Sequence, residues 1–67
     1  MKIVRDGRHI EGLVGQTITR AVHGLTSSLD PIVVLFLSNG GQFVVQETGQ
    51  AGSIDVKVYD SGGNPYG

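Results

Sequence analysis

LFLSNGGQFVVQE, Leu35 to Glu47, sets two apolar runs on either side of Ser-Asn-Gly-Gly, and the faces of the hairpin it describes decide the fold. Asn-Gly between apolar runs is a strong local signal for a two-stranded turn, because both central positions of a type I′ turn need positive φ. With Asn39 and Gly40 as that turn, Phe36 is expected opposite Phe43, Leu35 opposite Val44 and Val34 opposite Val45. A turn at Gly40 and Gly41 changes these pairs but not which residues share a face. One face then carries Ile32, Val34, Phe36, Phe43 and Val45, and is expected to form the core. The other carries Val33, Leu35, Leu37 and Val44, diluted by Gln42 and Gln46, and is expected to be an interface with a second copy or another protein, or to be covered by the N-terminal segment.

Outward from the hairpin, IDVKVY alternates Ile54, Val56 and Val58 with Asp55, Lys57 and Tyr59, the period of a half-buried strand. TSSLDP is loop, since Pro31 disfavours a helical Asp30. Residues 13 to 25 carry apolar positions at helical spacing, yet Gly12, Gly15 and the β-branched Thr17, Ile18, Thr19 and Val22 oppose a helix. A strand over Thr17 to His23, entered through a turn at Leu13 to Gln16, is preferred. Asp6-Gly7 predicts a short N-terminal hairpin with arms Ile3 to Arg5 and Arg8 to Ile10. The expected fold is therefore all-β, a small antiparallel meander or partly open barrel with an N-terminal hairpin, over residues 1–59. The alternative is α+β with one helix at about 13–24 packed on the sheet. Residues 60–67, DSGGNPYG, have the composition of a Gly-rich tail, and its Tyr66 is expected to dock in a groove of its own or a neighbouring subunit.

Composition narrows the function classes. A chain of 67 residues buries a thin core, and with no cysteine it has neither disulfides nor a Cys-based zinc site to staple it. Oligomerisation is the remaining common staple. Charges near the N-terminus and short apolar runs predict a soluble, cytoplasmic protein. A net charge of -1 removes the broad attraction on which nucleic-acid binding rests, leaving Arg5, Arg8, His9 and Arg20 as a modest patch that Tyr59 or Tyr66 would complement by stacking.

Ser27, Ser28, His23 and Asp30 are the residue types of a hydrolase triad, but one loop does not supply a rigid scaffold with an oxyanion site, so turn chemistry is expected of them instead. Asp6, His9, Glu11 and His23 lack any metal-ligand spacing, and no cofactor or metal is expected. GLVGQT and SNGGQ lack the phosphate-loop lysine pattern, although their amides beside Arg5, Arg8 and Arg20 would suit a small anionic metabolite or nucleotide at a subunit junction.

PIVVLFLSNGGQF, Pro31 to Phe43, resembles the strand-turn-strand of Sm-like RNA-binding proteins, in which an apolar strand ends in Asn-Gly. That resemblance implies an RNA-binding module as a further alternative. LVGQTI followed by a hairpin resembles segments of small bacterial and phage proteins. The function expected from the residues themselves is a non-catalytic interaction protein, a homo-oligomer of the phage or bacterial accessory or inhibitor kind that occupies a surface of a larger protein partner. Its interface residues would be Val33, Leu35, Leu37, Val44 and Tyr66. The alternative is an oligomeric binder of the anionic ligand through Arg5, Arg8 and Arg20.

Overall fold

The structure, a computed structural model, describes residues 4–7, 9–49 and 52–66. It is all-β: strands β1 (Ile18–Leu25), β2 (Pro31–Leu37), β3 (Gln42–Glu47) and β4 (Ile54–Tyr59) form one open antiparallel meander in the order β1-β2-β3-β4. No helix is present among the described residues, and therefore none long and apolar enough to cross a membrane. Residues 13–25, ambiguous between helix and strand, resolve as turns followed by β1. Leu13 N–H donates to the Ile10 carbonyl and Gln16 N–H to the Leu13 carbonyl, with φ of 79° at Gly12 and 80° at Gly15. Each glycine occupies the third position of a four-residue turn, where type II geometry needs positive φ. The pair is thus spaced for two successive turns.

Of the expected N-terminal hairpin, Ile3 and Arg8 lie outside the described residues. Its described members Val4, Arg5, His9 and Ile10 belong to no strand, while Asp6 adopts the left-handed φ of 52°.

One loop design recurs at three corners. In Thr26–Asp30, Leu37–Gly41 and Asp60–Asn64, the fourth residue donates to the carbonyl of the first, and the first donates to the carbonyl of the fifth. The fourth residue has positive φ each time, 65° at Leu29, 86° at Gly40 and 83° at Gly63. This is the three-residue hairpin loop, a type I turn closed by a left-handed residue in a bulge. Side chains reinforce it. Thr26 Oγ1 accepts from the N–H groups of Ser28 and Asp30, and Asp60 Oδ1 accepts from Gly62 and Asn64 in the same pattern. In the middle loop Asn39 Oδ1 accepts from Gly41 N–H at 2.8 Å.

The third of these loops carries the Gly-rich segment back onto β4, where Pro65 pairs with Tyr59 and Tyr66 N–H donates to the Val58 carbonyl. Gly67 lies outside the described residues.

The middle loop corrects the expected register. Three loop residues, Ser38 to Gly40, replace two, so Leu35 lies opposite Phe43, Val34 opposite Val44 and Val33 opposite Val45. A slip of one residue exchanges the faces. Val33, Leu35 and Leu37 therefore share their face with Phe43 and Val45, whereas Val44 joins Ile32, Val34, Phe36, Gln42 and Gln46 on the other. The expected division into a Phe core and a separate Leu interface does not exist. Extending the register across the sheet adds Ala21, His23, Leu25, Ile54, Val56 and Val58 to the first face. Arg20, Val22, Asp55, Lys57 and Tyr59 fall on the second. The first face is nearly continuous apolar surface and the second is mixed, the usual division in an antiparallel sheet with one side meant for burial.

Candidate functional site

The apolar face is covered at one end only. Leu37 and Val58, 3% and 7% exposed, are the buried hydrophobic side chains of the described residues, and both lie at the end nearest the loops 38–40 and 61–63. The N-terminal segment is tied down there. Thr17 N–H donates to Ser38 Oγ at 3.0 Å, Ser38 Oγ donates to Gln16 Oε1 at 2.8 Å, and Ser38 N–H donates to the Thr17 carbonyl at 2.8 Å. Tyr66 completes the cover: a Cβ built on Gly12 would lie 2.6 Å from the tyrosine ring, so the ring rests directly on the glycine. His9, Ile10 and Glu11 form a cleft with Val56, Val58 and Tyr66 along the β4 side of this cover.

The other half of the face is open. Leu25 is 64% exposed, Ile54 66% and Val56 45%, flanking the half-buried Val33 and Val45 of the central strands. These residues form the candidate site, an apolar surface from β1 to β4. Glu47, opposite Ile54, is the acidic residue at its rim.

Of the residues expected at an interface, Val33, Leu35 and Leu37 lie on this face, with Leu37 already buried by the chain itself. Tyr66 is part of the cover. Val44 points to the opposite side. Leu25, Ile54, Val56 and Phe43 were missed because the register that places them here depends on the bulge at Gly40. The repeated Ser at the second loop position, Ser27, Ser38 and Ser61, with Gly40 and Gly63 two residues after the latter two, was the available signal.

Among the arginines expected to hold an anion, Arg8 lies outside the described residues. Arg5 is exposed in the N-terminal segment, and Arg20 on edge strand β1 places its guanidinium carbon 5.4 Å from the Phe36 ring centroid. That cation–π contact occupies the mixed face rather than the cleft. Ser28 and Asp30 take turn roles with Thr26, and no group of three or more metal-ligating side chains comes together among the described residues. On the mixed face Lys57 and Asp55 pair at 3.6 Å, both about half exposed, a contact worth little in water. Comparison of the chain with protein-family models, curated proteins and solved structures finds no match.

Proposed function

We propose that this chain is a small non-catalytic interaction protein whose working form is a homo-oligomer, of the accessory or inhibitor kind that acts by occupying a surface of a larger protein. One observation carries the reading: Leu25, Ile54 and Val56 stand 64%, 66% and 45% exposed on a single apolar sheet face.

The occupant of the open apolar face is a second copy, packed face to face. A single sheet with one apolar side needs a second layer, and a sandwich of two such sheets provides one. Leu25, Ile54 and Val56 are already partly covered, so each gains about 1–2 kcal/mol when the rest of its surface is buried, enough together to matter in a domain with so thin a core. The face carries almost no charge, so two copies meet without like-charge conflict. The mixed faces, with Arg20, Gln42, Gln46, Lys57 and Tyr59, then remain outside and are the surfaces left for the larger partner.

Native mass spectrometry and light scattering test this directly. The wild type is expected to be oligomeric at micromolar concentration, and Ile54→Lys with Val56→Lys is expected to lower the assembly mass while the circular dichroism of the sheet persists. A monomeric wild type at such concentrations overturns the proposal.

A further inference from the structure

The two edges of the sheet are treated differently. On β4 the C-terminal segment takes up Val58, whose carbonyl accepts from Tyr66 N–H, and Tyr59 pairs with Pro65. On β1, no described strand lies beyond the outer edge. The orientation of its backbone groups follows from the adjoining loop. Thr26 N–H donates to the Asp30 carbonyl, which places Thr26 and Asp30 at a hydrogen-bonded position of the β1–β2 ladder, with Asp30 N–H turned to Thr26 Oγ1. Such pairs alternate along an antiparallel ladder, so Arg20, Val22 and Gly24 turn their amides and carbonyls toward β2. Ala21, His23 and Leu25 turn theirs outward.

We infer that β1 is a self-pairing edge: two copies join antiparallel through Ala21, His23 and Leu25 about a two-fold axis at His23. This rests on the homo-oligomer reading above and adds a second, independent contact to it. Three observations select this register. The outward residues are symmetric about His23, so Ala21 meets Leu25 of the second copy, His23 meets its own counterpart, and every outward group of the three is used, giving roughly six main-chain hydrogen bonds. The regular strand is bounded by the bulge between Ile18 and Arg20 on one side and by the Thr26–Asp30 loop on the other, so a shift by two residues loses a bonded pair. Finally, the register sets Arg20 opposite Thr26 of the second copy and keeps the two arginines at opposite ends of the seam.

The side chains agree with the backbone. Ala21 and Leu25 belong to the apolar face, and across the seam each leucine lies over the small alanine, extending that face from one sheet into the next. Ala21–Leu25 contains no proline, lysine or arginine, and the devices that blunt natural edges, Arg20 and the bulge between Ile18 and Arg20, stand at the end of this stretch. An isologous contact also closes on itself, where pairing of β1 with the β4 edge of another copy would run on into a ring or fibre.

The chain has no cysteine, so single-cysteine variants read the seam cleanly. In this register the two His23 Cα atoms are about 5.5 Å apart, within the range a disulfide spans, whereas the two Ala21 positions lie far outside it. Under mild oxidation His23→Cys is expected to give a covalent dimer and Ala21→Cys is not. His23→Pro, which removes an outward amide and no bond to β2, is expected to halve the mass of the native assembly with the dichroism of the sheet retained. An oligomeric wild type whose His23→Cys form stays uncrosslinked and whose mass survives His23→Pro overturns the edge pairing and leaves the homo-oligomer reading standing. Equal crosslinking of Ala21→Cys overturns it as well. A monomeric wild type overturns both. Should His23→Pro fail to fold, the two cysteine variants decide alone.

Discussion

Leu29 offers the cleanest quantitative test of the loop geometry. It occupies the left-handed position of the first loop at φ 65°, where the two equivalent loops place Gly40 and Gly63. A left-handed conformation costs an L-residue about 1–2 kcal/mol, and the side chain, 75% exposed, recovers little of this by packing. Glycine removes that cost but adds freedom to the unfolded chain, a penalty of roughly 0.5–1 kcal/mol. Leu29→Gly is therefore expected to stabilise the fold by about 0.5–1 kcal/mol. For a domain of this size that raises Tm by roughly 2–8 °C. The assay is a thermal melt followed by far-ultraviolet circular dichroism, with all variants at one protein concentration because association makes Tm concentration-dependent. Gly40→Ala is the mirror experiment. It puts a Cβ at φ 86° and 3.1 Å from Ser61 Cβ, and is expected to lower Tm by a comparable or larger amount. A Tm for Leu29→Gly that is unchanged or lower would refute the reasoning, since it would mean that no strain is stored at Leu29.

Two further substitutions probe the covered end of the sheet. Leu37→Ala removes one of the two apolar side chains that are buried among the described residues and is expected to cost about 2–5 kcal/mol, a large share of the stability of so small a domain, read as a lowered urea midpoint. Gly41→Ala directs a Cβ into the Tyr59 carbonyl oxygen and to 3.0 Å from Asn39 Oδ1, so the β2–β3 loop must shift away from β4. A loss of about 1–3 kcal/mol is expected from such overpacking, and a melt identical to wild type would show that the backbones are not so closely apposed.

Element identity was legible because the strands announce themselves in different ways: Ile54 to Tyr59 by alternation, Ile32 to Leu37 by an unbroken apolar run, and Ile18 to Val22 by β-branching. Sidedness was not. Ser38-Asn39-Gly40-Gly41 is compatible with loops of two or three residues, and the count decides whether Phe43 faces Leu35 or Phe36. The structure spends Asn39 on an acceptor bond to Gly41 N–H and leaves the positive φ to Gly40 alone, so the Asn-Gly pair is not the I′ turn it resembles. Sequence spacing reports period and punctuation, whereas register follows from hydrogen bonds within the loop. The candidate site inherits that error: Val33 and Leu35 share the apolar face with Phe43 and Val45, while Val44 lies on the opposite face. Leu25, Ile54 and Val56 belong to strands whose facing could be fixed only through the same loop.

The contact between Tyr66 and Gly12 bears on how the chain folds. Every other pairing in the meander joins neighbouring strands through short loops, which close quickly and at small entropic cost. The tyrosine seat joins opposite ends of the chain, and its two halves are in place only after the ladder between them has formed. It is accordingly expected to form last and to open first, with fraying at either terminus releasing the other. Hydrogen exchange should show this as faster opening at Tyr66 N–H than at the amides between β2 and β3, with the far ends of the sequence behaving as a single latch.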